Sequence, residues 1–446
     1  MWDRIRSIWT ITDLRNKILF TLGMLLLYRL LASIPVPLTH EQQLKLTQLF
    51  ASNGTNGLGQ LLGLLDAFSG GSLQIFSIVA MGVYPYISAT IVMQLLGQVI
   101  PALHALQTEG SEAGRRKFSQ ITRLVAVPLA ILEAFGQLAI FVNANVLSAS
   151  DINLLGSNWL YVLGMVITLT GGTMILVWFG ELITEYGLGN GTSLIIFAGI
   201  VSTLPDWIKQ FSVVVTSSSN GASIVSIVIF LVVGLLTILG MVYLYQGQRR
   251  VAIEYPTKRQ VGRGMLVGGA KTTYIPIQVN NAGMIPLIFA SSMMLFPSLI
   301  ARYLTTSSVM WLANAALWIQ TYLTNTTLWN YWLLYFLLVV AFTYMYAYMQ
   351  WEQQNIPEML QKQGAYVKGF RPGETTRKYL LSILNRLTLA GALCLGIAAV
   401  LPFVTQVGGV QLLASTKILI AVGVVLDTMR QFDAQMVMRN YAGFLA

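Results

Sequence analysis

Apolar runs as long as a hydrocarbon core is thick recur from one end of this chain to the other, and they leave no room for a water-soluble fold. They fall at roughly 17–36, 74–100, 119–143, 158–180, 190–209, 222–245, 280–300, 329–350, 380–402 and 412–432. A helix needs about 20 such residues to cross a bilayer, so the pattern predicts ten spans. Composition agrees. Of 446 residues, 55% are hydrophobic and 10% charged, against about 25% charged in an ordinary soluble domain. Mean hydropathy is +0.66. The first run has basic flanks and no small-residue cleavage site, so it is expected to be a retained span, not a removed signal peptide.

Other classes are excluded by what the chain lacks. Cys394 is the sole cysteine, which rules out an intramolecular disulfide or a cysteine metal cluster. His40 and His104 are the two histidines, too few and too far apart for a histidine-rich site. No Gly-Lys dipeptide occurs, so the phosphate-cradling loop of P-loop ATPases is absent. The expectation is a protein without catalytic residues, cofactor or metal.

One stretch departs from the rhythm of full spans. Leu58 to Phe68 is apolar but would rise only about 16 Å as a helix, half of what a span needs. Gln74 to Ile100, just after it, is long enough, with Pro85 as its one interruption. The pair reads as a half helix followed by a full span, joined by Ser69-Gly70-Gly71-Ser72. Non-helical backbone at membrane depth is tolerated where it is buried in protein or lines a watery cavity, so a cavity is expected near the centre. A helix lying on the membrane surface is the alternative for Leu58 to Phe68, with Gln60 and Asp66 as its polar positions.

Charge sets the expected topology. Most of the 27 lysines and arginines fall in the terminal segments and in the loops at 101–118, 246–275 and 351–379, while the opposite loops hold Lys45, Lys209 and Arg302. Both termini and the basic loops are therefore expected on the cytoplasmic side. Ten spans also divide into five plus five, which would give inverted halves over 1–209 and 210–446. The loop at 246–279 alternates Arg249, Arg250, Lys258 and Arg259 with Val251, Ile253 and Tyr255, a pattern for a projecting β-hairpin. The loop at 351–379 bends at Gly369 and Pro372-Gly373 around Arg371. Both exceed what a connector requires and read as docking surfaces; enforcing topology and touching anionic lipid is the alternative. The charged residues near or within spans, Arg29, Arg123, Glu133, Glu181 and Arg386, are expected mostly toward span ends.

The wording of the sequence carries a resemblance. "DLRNKILFTLGMLLLYRLLASIPVP", "FSGGSLQIFSIVAMGVYPYISATIVMQLL", "ITEYGLGNGTSLIIFAGIVSTLP", "TYIPIQVNNAGMIPLIFASSMMLFP", "GFRPGETTRKYLLSILNRLTLAGALCLGIAAVLP" and "VGVVLDTMRQFDAQMVMRNYAGFL" resemble, in order and over nearly the whole chain, the SecY family of bacterial protein-translocation channels. The resemblance implies an all-α, polytopic, ten-span hourglass of two inverted five-helix halves in the bacterial inner membrane. It implies a pore ring at Val83, Ile87, Ile196, Ile200, Ile288 and Ile420, and a plug carrying Leu58, Leu61, Leu62, Leu65 and Phe68. A lateral gate would involve Ser88, Thr90, Gln94, Asn280, Ser292 and Phe296. Arg249, Arg250, Lys258, Arg259 and Arg371 would receive the SecA motor ATPase or the ribosome. The other implied partners are the small subunits SecE and SecG, preprotein signal sequences and membrane lipid. Two departures stand out. Lys417 sits in "LLASTKILIAVGV" where the family commonly reads "GGTSLLIVVGV", and Tyr84 replaces a more usual Met.

Spacing supports part of this independently. Val83 and Ile87, like Ile196 and Ile200, are four apart and share a helix face if those segments are helical. Converging aliphatic side chains make a constriction that dewets. Ordinary helix packing is the plain alternative for such pairs, and back-bonding to their own helix for the serines and threonines. The competing functions are a secondary transporter of a small molecule, which needs a polar site at mid-membrane, and a polytopic membrane enzyme, which needs clustered catalytic groups.

Overall fold

The computed structural model of the chain describes residues 12–51, 66, 69–108, 112–143, 146–147, 159–205, 221–261, 265–304, 310–323, 328–371, 373–404 and 414–442. Its elements run α1 (Thr12–Ala32), α2 (His40–Ala51), α3 (Tyr84–Val99), α4 (Pro101–Thr108), α5 (Glu112–Asn143), α6 (Trp159–Tyr186), α7 (Gly191–Ser202) and α8 (Gly221–Gln246). Then follow β1 (Gln248–Val261), β2 (Met265–Gln278), α9 (Ile285–Leu304), α10 (Met310–Leu323), α11 (Trp329–Gln354), α12 (Ile356–Lys362), β3 (Tyr366–Val367), α13 (Glu374–Val404) and α14 (Ala414–Ala442). Among the described residues, four helices, Arg116–Val142, Trp159–Tyr186, Trp329–Lys362 and Glu374–Leu401, are long and apolar enough to cross a membrane; Gly191–Ser202, Val232–Gln246 and Ile285–Met294 are shorter apolar helices. The protein is a polytopic, predominantly helical membrane protein.

The expected span over Gln74 to Ile100 is corrected. Helix α3 starts at Tyr84 with Pro85 in its first turn, the position where a proline without an N–H costs nothing. Before it, residues 70–83 form a chain of turns, with positive φ at Gly70, Gly71, Phe76 and Gly82. Leu73, Phe76, Val79, Ala80 and Val83 on these turns are nevertheless fully buried. Such backbone survives away from water because its polar groups find partners. Val36 N–H donates to Phe76 O at 2.9 Å, Ile78 N–H to Ile34 O at 3.0 Å and Ser77 N–H to Ser72 O at 3.0 Å. Tyr28 donates its hydroxyl to Ser69 O at 3.2 Å, while Gly70 O accepts from Arg29 Nη1 at 3.1 Å and from Ser202 Oγ at 3.0 Å. The turn is thereby bound to the ends of α1 and α7.

Most helices pack around one apolar core. Helix α5 lies against α3 and α6; α6 against α7 and α1; α11 against α13; and α8 against α13 and α14. Two further contacts join early helices to late ones: α9 packs on α3 and α5, and α14 packs on α7. Helix α7 begins with Asn190, whose Oδ1 accepts from Thr192 N–H and Ser193 N–H at 3.1 and 3.3 Å, satisfying amides the first turn leaves unpaired.

A second, smaller core lies around the hairpin. The expected hairpin is present, β1 and β2 pairing antiparallel from Gln248↔Gln278 to Val261↔Met265. The other basic loop contributes β3, which pairs with β1 at Ile253↔Val367 and Glu254↔Tyr366. Alternation buries Val251 and Ile253 and exposes Arg250 and Ala252. The buried side packs with Ile277, Trp351, Ile356, Leu360, Val367, Leu380 and Ile383.

Gly70 offers a test of the turn. Gly70 and Gly364 share nearly the same left-handed φ, +69° and +67°, but a Cβ on Gly70 would run into Gly199 Cα while one on Gly364 would meet nothing within 4 Å. Gly364→Ala should cost about 1 kcal/mol of backbone strain, and Gly70→Ala at least about 2–3 kcal/mol more from forced repacking. Thermal unfolding midpoints of the purified variants check this; equal losses would show that packing at Gly70 contributes nothing.

Candidate functional site

The six aliphatic positions come from four places in the chain. Val83 caps α3 and Ile87 follows one turn in; Ile196 and Ile200 lie on one face of α7; Ile288 lies in the first turns of α9, and Ile420 in α14. All six are buried and belong to one apolar cluster. The α3–α9 and α7–α14 contacts carry these helices toward one another. Two close approaches tighten the arrangement. A Cβ on Gly423, three residues beyond Ile420, would collide with the side chain of Met284, four residues before Ile288. Gly70 and Gly199 likewise bring the turn at 70–83 onto α7 beside Ile200. None of the six carries a polar side-chain atom.

The polar positions expected at a lateral gate behave in different ways. Ser88 and Thr90 back-bond to their own helix, donating to Tyr84 O at 3.1 Å and Tyr86 O at 2.8 Å. Gln94 is half-buried, Ser292 is buried, and Asn280, also buried, donates through Nδ2 to Gly283 O at 3.1 Å. The direct link from α3 to α9 comes from a residue valued in the sequence only as a departure: Tyr84 donates its hydroxyl to Ser292 O at 3.0 Å. Nothing in the spacing separates that tyrosine from an ordinary core aromatic. The side chain of Phe296 lies outside the described residues, as do Leu58, Leu61, Leu62, Leu65 and Phe68 and the side chains of Lys258, Arg259 and Lys417.

Glu133 is the exception among the charged residues expected mostly toward span ends. It stands well inside α5 and is buried, beside Ser88, instead of lying toward a span end. Arg123 pairs with Glu181 across α5 and α6. Among the described residues, no group of three or more His, Cys, Asp or Glu side chains is arranged to hold a metal.

In the second core the basic side chains face outward. Arg249, Arg250 and Arg371 are exposed, with the Arg250 guanidinium 4.8 Å above the Tyr274 ring. Glu254 holds β3 to β1 through Tyr366, whose hydroxyl donates to Glu254 Oε2 at 3.0 Å, and through Lys368, 3.9 Å from Oε1. The hydrogen bond to Glu254 and its negative charge push the Tyr366 hydroxyl above the usual tyrosine range. The sequence marks both loops as functional but holds no sign that a two-residue strand joins them.

Truncating Ile253, nearly fully buried, should loosen this unit. Ile253→Ala is expected to cost the hairpin about 2–5 kcal/mol locally, seen as faster amide exchange over 248–261 with the exchange of α6 unchanged. Unchanged exchange in the hairpin would show that it stands without its core.

Comparison with known proteins bears on this arrangement directly. The family model SecY matches residues 77–429. The chain is similar to the protein translocase subunit SecY of Mycobacterium tuberculosis (strain ATCC 25618 / H37Rv), 39% identical with 99% of each chain covered. It is also similar to the subunit of the same description from Bacillus subtilis (strain 168), 38% identical with 100% of each covered. Among solved structures, a protein-conducting channel matches at TM-score 0.61 and 19% identity, over 95% of this chain and 93% of that one. Sec61 in the canine ribosome–channel complex from the endoplasmic reticulum matches at TM-score 0.56 and 19% identity, over 95% and 93%. These last two likenesses concern the fold.

Proposed function

The chain belongs to the SecY family, and from that premise we propose that it is the central subunit of a protein-conducting channel, passing unfolded secretory proteins across the bacterial inner membrane and releasing membrane segments sideways into lipid. The observation that carries the reading is the set of Val83, Ile87, Ile196, Ile200, Ile288 and Ile420, six aliphatic side chains from four places in the chain, all buried in the large apolar core. A passage for polypeptides of any sequence needs a constriction that seals without binding, and aliphatic side chains with mobile rotamers meet that need. Ten spans in two inverted halves, cytoplasmic termini and a plug at 58–68 complete the reading.

Chain movement takes its energy from outside. The exposed arginines of the second core suit a motor such as SecA or the ribosome; a structure of Sec61 in a ribosome–channel complex is among those with this fold. SecE and SecG are the expected membrane partners. The runner-up is a secondary transporter, and buried Glu133 is the feature that favours it. Glu133 has Ser88 and Tyr84 beside it, while a solute site needs several polar groups converging on one pocket.

Charge reversal at Arg371 should impair translocation more than reversal at Lys45, because Arg371 sits on the exposed face of the second core. Motor or ribosome binding should also weaken with salt, since exposed charges are screened over about 8–10 Å at 0.1–0.15 M. Equal defects with unchanged motor affinity would remove the docking assignment.

The ring is tested by Ile196→Asn and Ile288→Asn beside Ile→Leu controls. A polar group in the constriction favours water and weakens the closed state, so the Asn variants should leak ions and pass precursors with defective signal sequences, because less free energy is then required from the signal. The Leu controls should do neither. A transporter would lose uptake instead, with no signal requirement to relax. Asn variants that insert normally and stay as tight and selective as the parent would show that these positions do not form the seal.

A further inference from the structure

Four positions of α14, Ile420, Gly423, Asp427 and Arg430, follow one another at i, i+3, i+7 and i+10, the spacing that keeps residues on one side of a helix. The segment leaving the hairpin, from the last residue of β2 into the first turn of α9, meets that face in reverse order. Arg430 Nη1 donates to Gln278 Oε1 at 2.8 Å. Asp427 Oδ2 would stand 3.5 Å from a Cβ on Gly283, whose φ is +67°. Gly423 leaves the notch that the Met284 side chain fills. Met284 O in turn accepts from Leu287 N–H at 3.1 Å and from Ile288 N–H at 3.4 Å, so the first turn of α9 hangs on the residue seated in the notch.

Between those two ends the segment has little slack. Val279 N–H donates to Gly247 O at 2.9 Å, and Val279 O lies so close to α13 that a Cβ on Gly391 would collide with it. Buried Asn280 donates through Nδ2 to Gly283 O at 3.1 Å. Arg430 secures the outer end. Its guanidinium lies 5.5 Å from the ring centre of Tyr245, itself buried at the end of α8, and a planar cation resting on an aromatic ring is pre-organised to donate. A hydrogen bond from an ionised donor is roughly twice as strong as a neutral one. We propose that Arg430 is a positioning residue for the apolar ring: by holding Gln278 it fixes the register of residues 278–288 on α14, and with it the place of Ile288 relative to Ile420. Gln278 ends the hairpin, so a partner that displaces the hairpin loads this bond before it loads the notch at Gly423. The consequence for the ring rests on the channel reading; the placement of Ile288 does not.

The test uses the full chain, purified with its membrane partners and returned to lipid, with amide exchange and resting ion leak measured on the same variants. Arg430→Met keeps an apolar stem over Tyr245 and removes the donor, while Gln278→Met removes the acceptor. Each should speed exchange at Leu287 and Ile288 about tenfold, the lower end for losing a hydrogen bond to a charged group, with exchange in α6 unchanged and the leak raised. The double variant should add nothing to either single one, since both remove the same contact. Arg430→Gln combined with Gln278→Arg restores donor and acceptor in the opposite order and should bring exchange and leak back toward the parent, which a general loss of stability would not allow. Should Arg430→Met fail to fold, Gln278→Met and the exchanged pair decide. Unchanged exchange at Leu287 and Ile288, additive effects in the double variant, or no recovery in the exchanged pair would overturn the proposal. Faster exchange without added leak, in a chain whose Ile196→Asn variant does leak, would cut Arg430 off from the ring and overturn its role there. If Ile196→Asn stays tight as well, the channel reading fails, and the faster exchange still supports the placement of Ile288 by Arg430.

Discussion

The structure depends on keeping non-helical backbone satisfied where water is scarce. Residues 70–83 are mostly buried yet make no helix, and every such segment must find partners for its carbonyls and amides or lose several kcal/mol per group. Here the partners come from three directions: Tyr28 and Arg29 at the end of α1, Ser202 at the end of α7, and the extended segment around Ile34 and Val36. Gly70 and Gly199 let two backbones meet where any side chain would force them apart. The position of Val83, and through it the start of α3, follows from that turn. An apolar ring that includes Val83 is thus only as well placed as the hydrogen bonds to Ser69 and Gly70.

What the sequence made legible follows from how strong each signal is. Long apolar runs are set by bilayer thickness, so most helices fall within a few residues of expectation; the run at 280–300, for instance, becomes Ile285–Leu304. The hairpin was legible because alternation and Gly/Pro turns fall together at 246–280. The start of α3 was not. Hydropathy cannot distinguish a buried turn from a buried helix when both are apolar, and Pro85 was weighed as an interruption when it marks a beginning. Strand β3 escaped for a different reason: two residues carry no periodicity, and Tyr366 pairs through Glu254, more than a hundred positions away. The ring residues are recognisable in the sequence through family resemblance; as isolated aliphatic pairs they are indistinguishable from packing.

The two cores place different demands on the chain. In the proposed channel the large one must stay apolar and yet include contacts that can part, whereas the small one presents exposed arginines. Its stiffness comes from β1 being covered on one side by β3 and on its buried face by α12 and α13. Because Trp351 at the end of α11 and Leu380 in α13 belong to that small core, a force on the exposed arginines reaches two long helices directly. Loops on unsupported tethers would absorb it.

In the proposed channel, a seam that parts is the more delicate requirement. Across α3 and α9 the described polar link is Tyr84 to Ser292 O, and polar contacts between membrane helices average only about 0.6 kcal/mol in double-mutant cycles. Ser88 and Thr90 spend their hydroxyls on their own helix, so they add little across the seam. Most of the closed-state stability there must come from apolar contact, which lipid tails or the apolar segment of a passing chain can replace at nearly equal free energy. A seam held this way opens to a hydrophobic segment and not to a polar one, because only the former restores what the closed state loses. If the proposed gate lies here, selectivity for apolar segments follows from the weakness of the polar link, and a seam rich in interhelical hydrogen bonds would close more firmly while discriminating less.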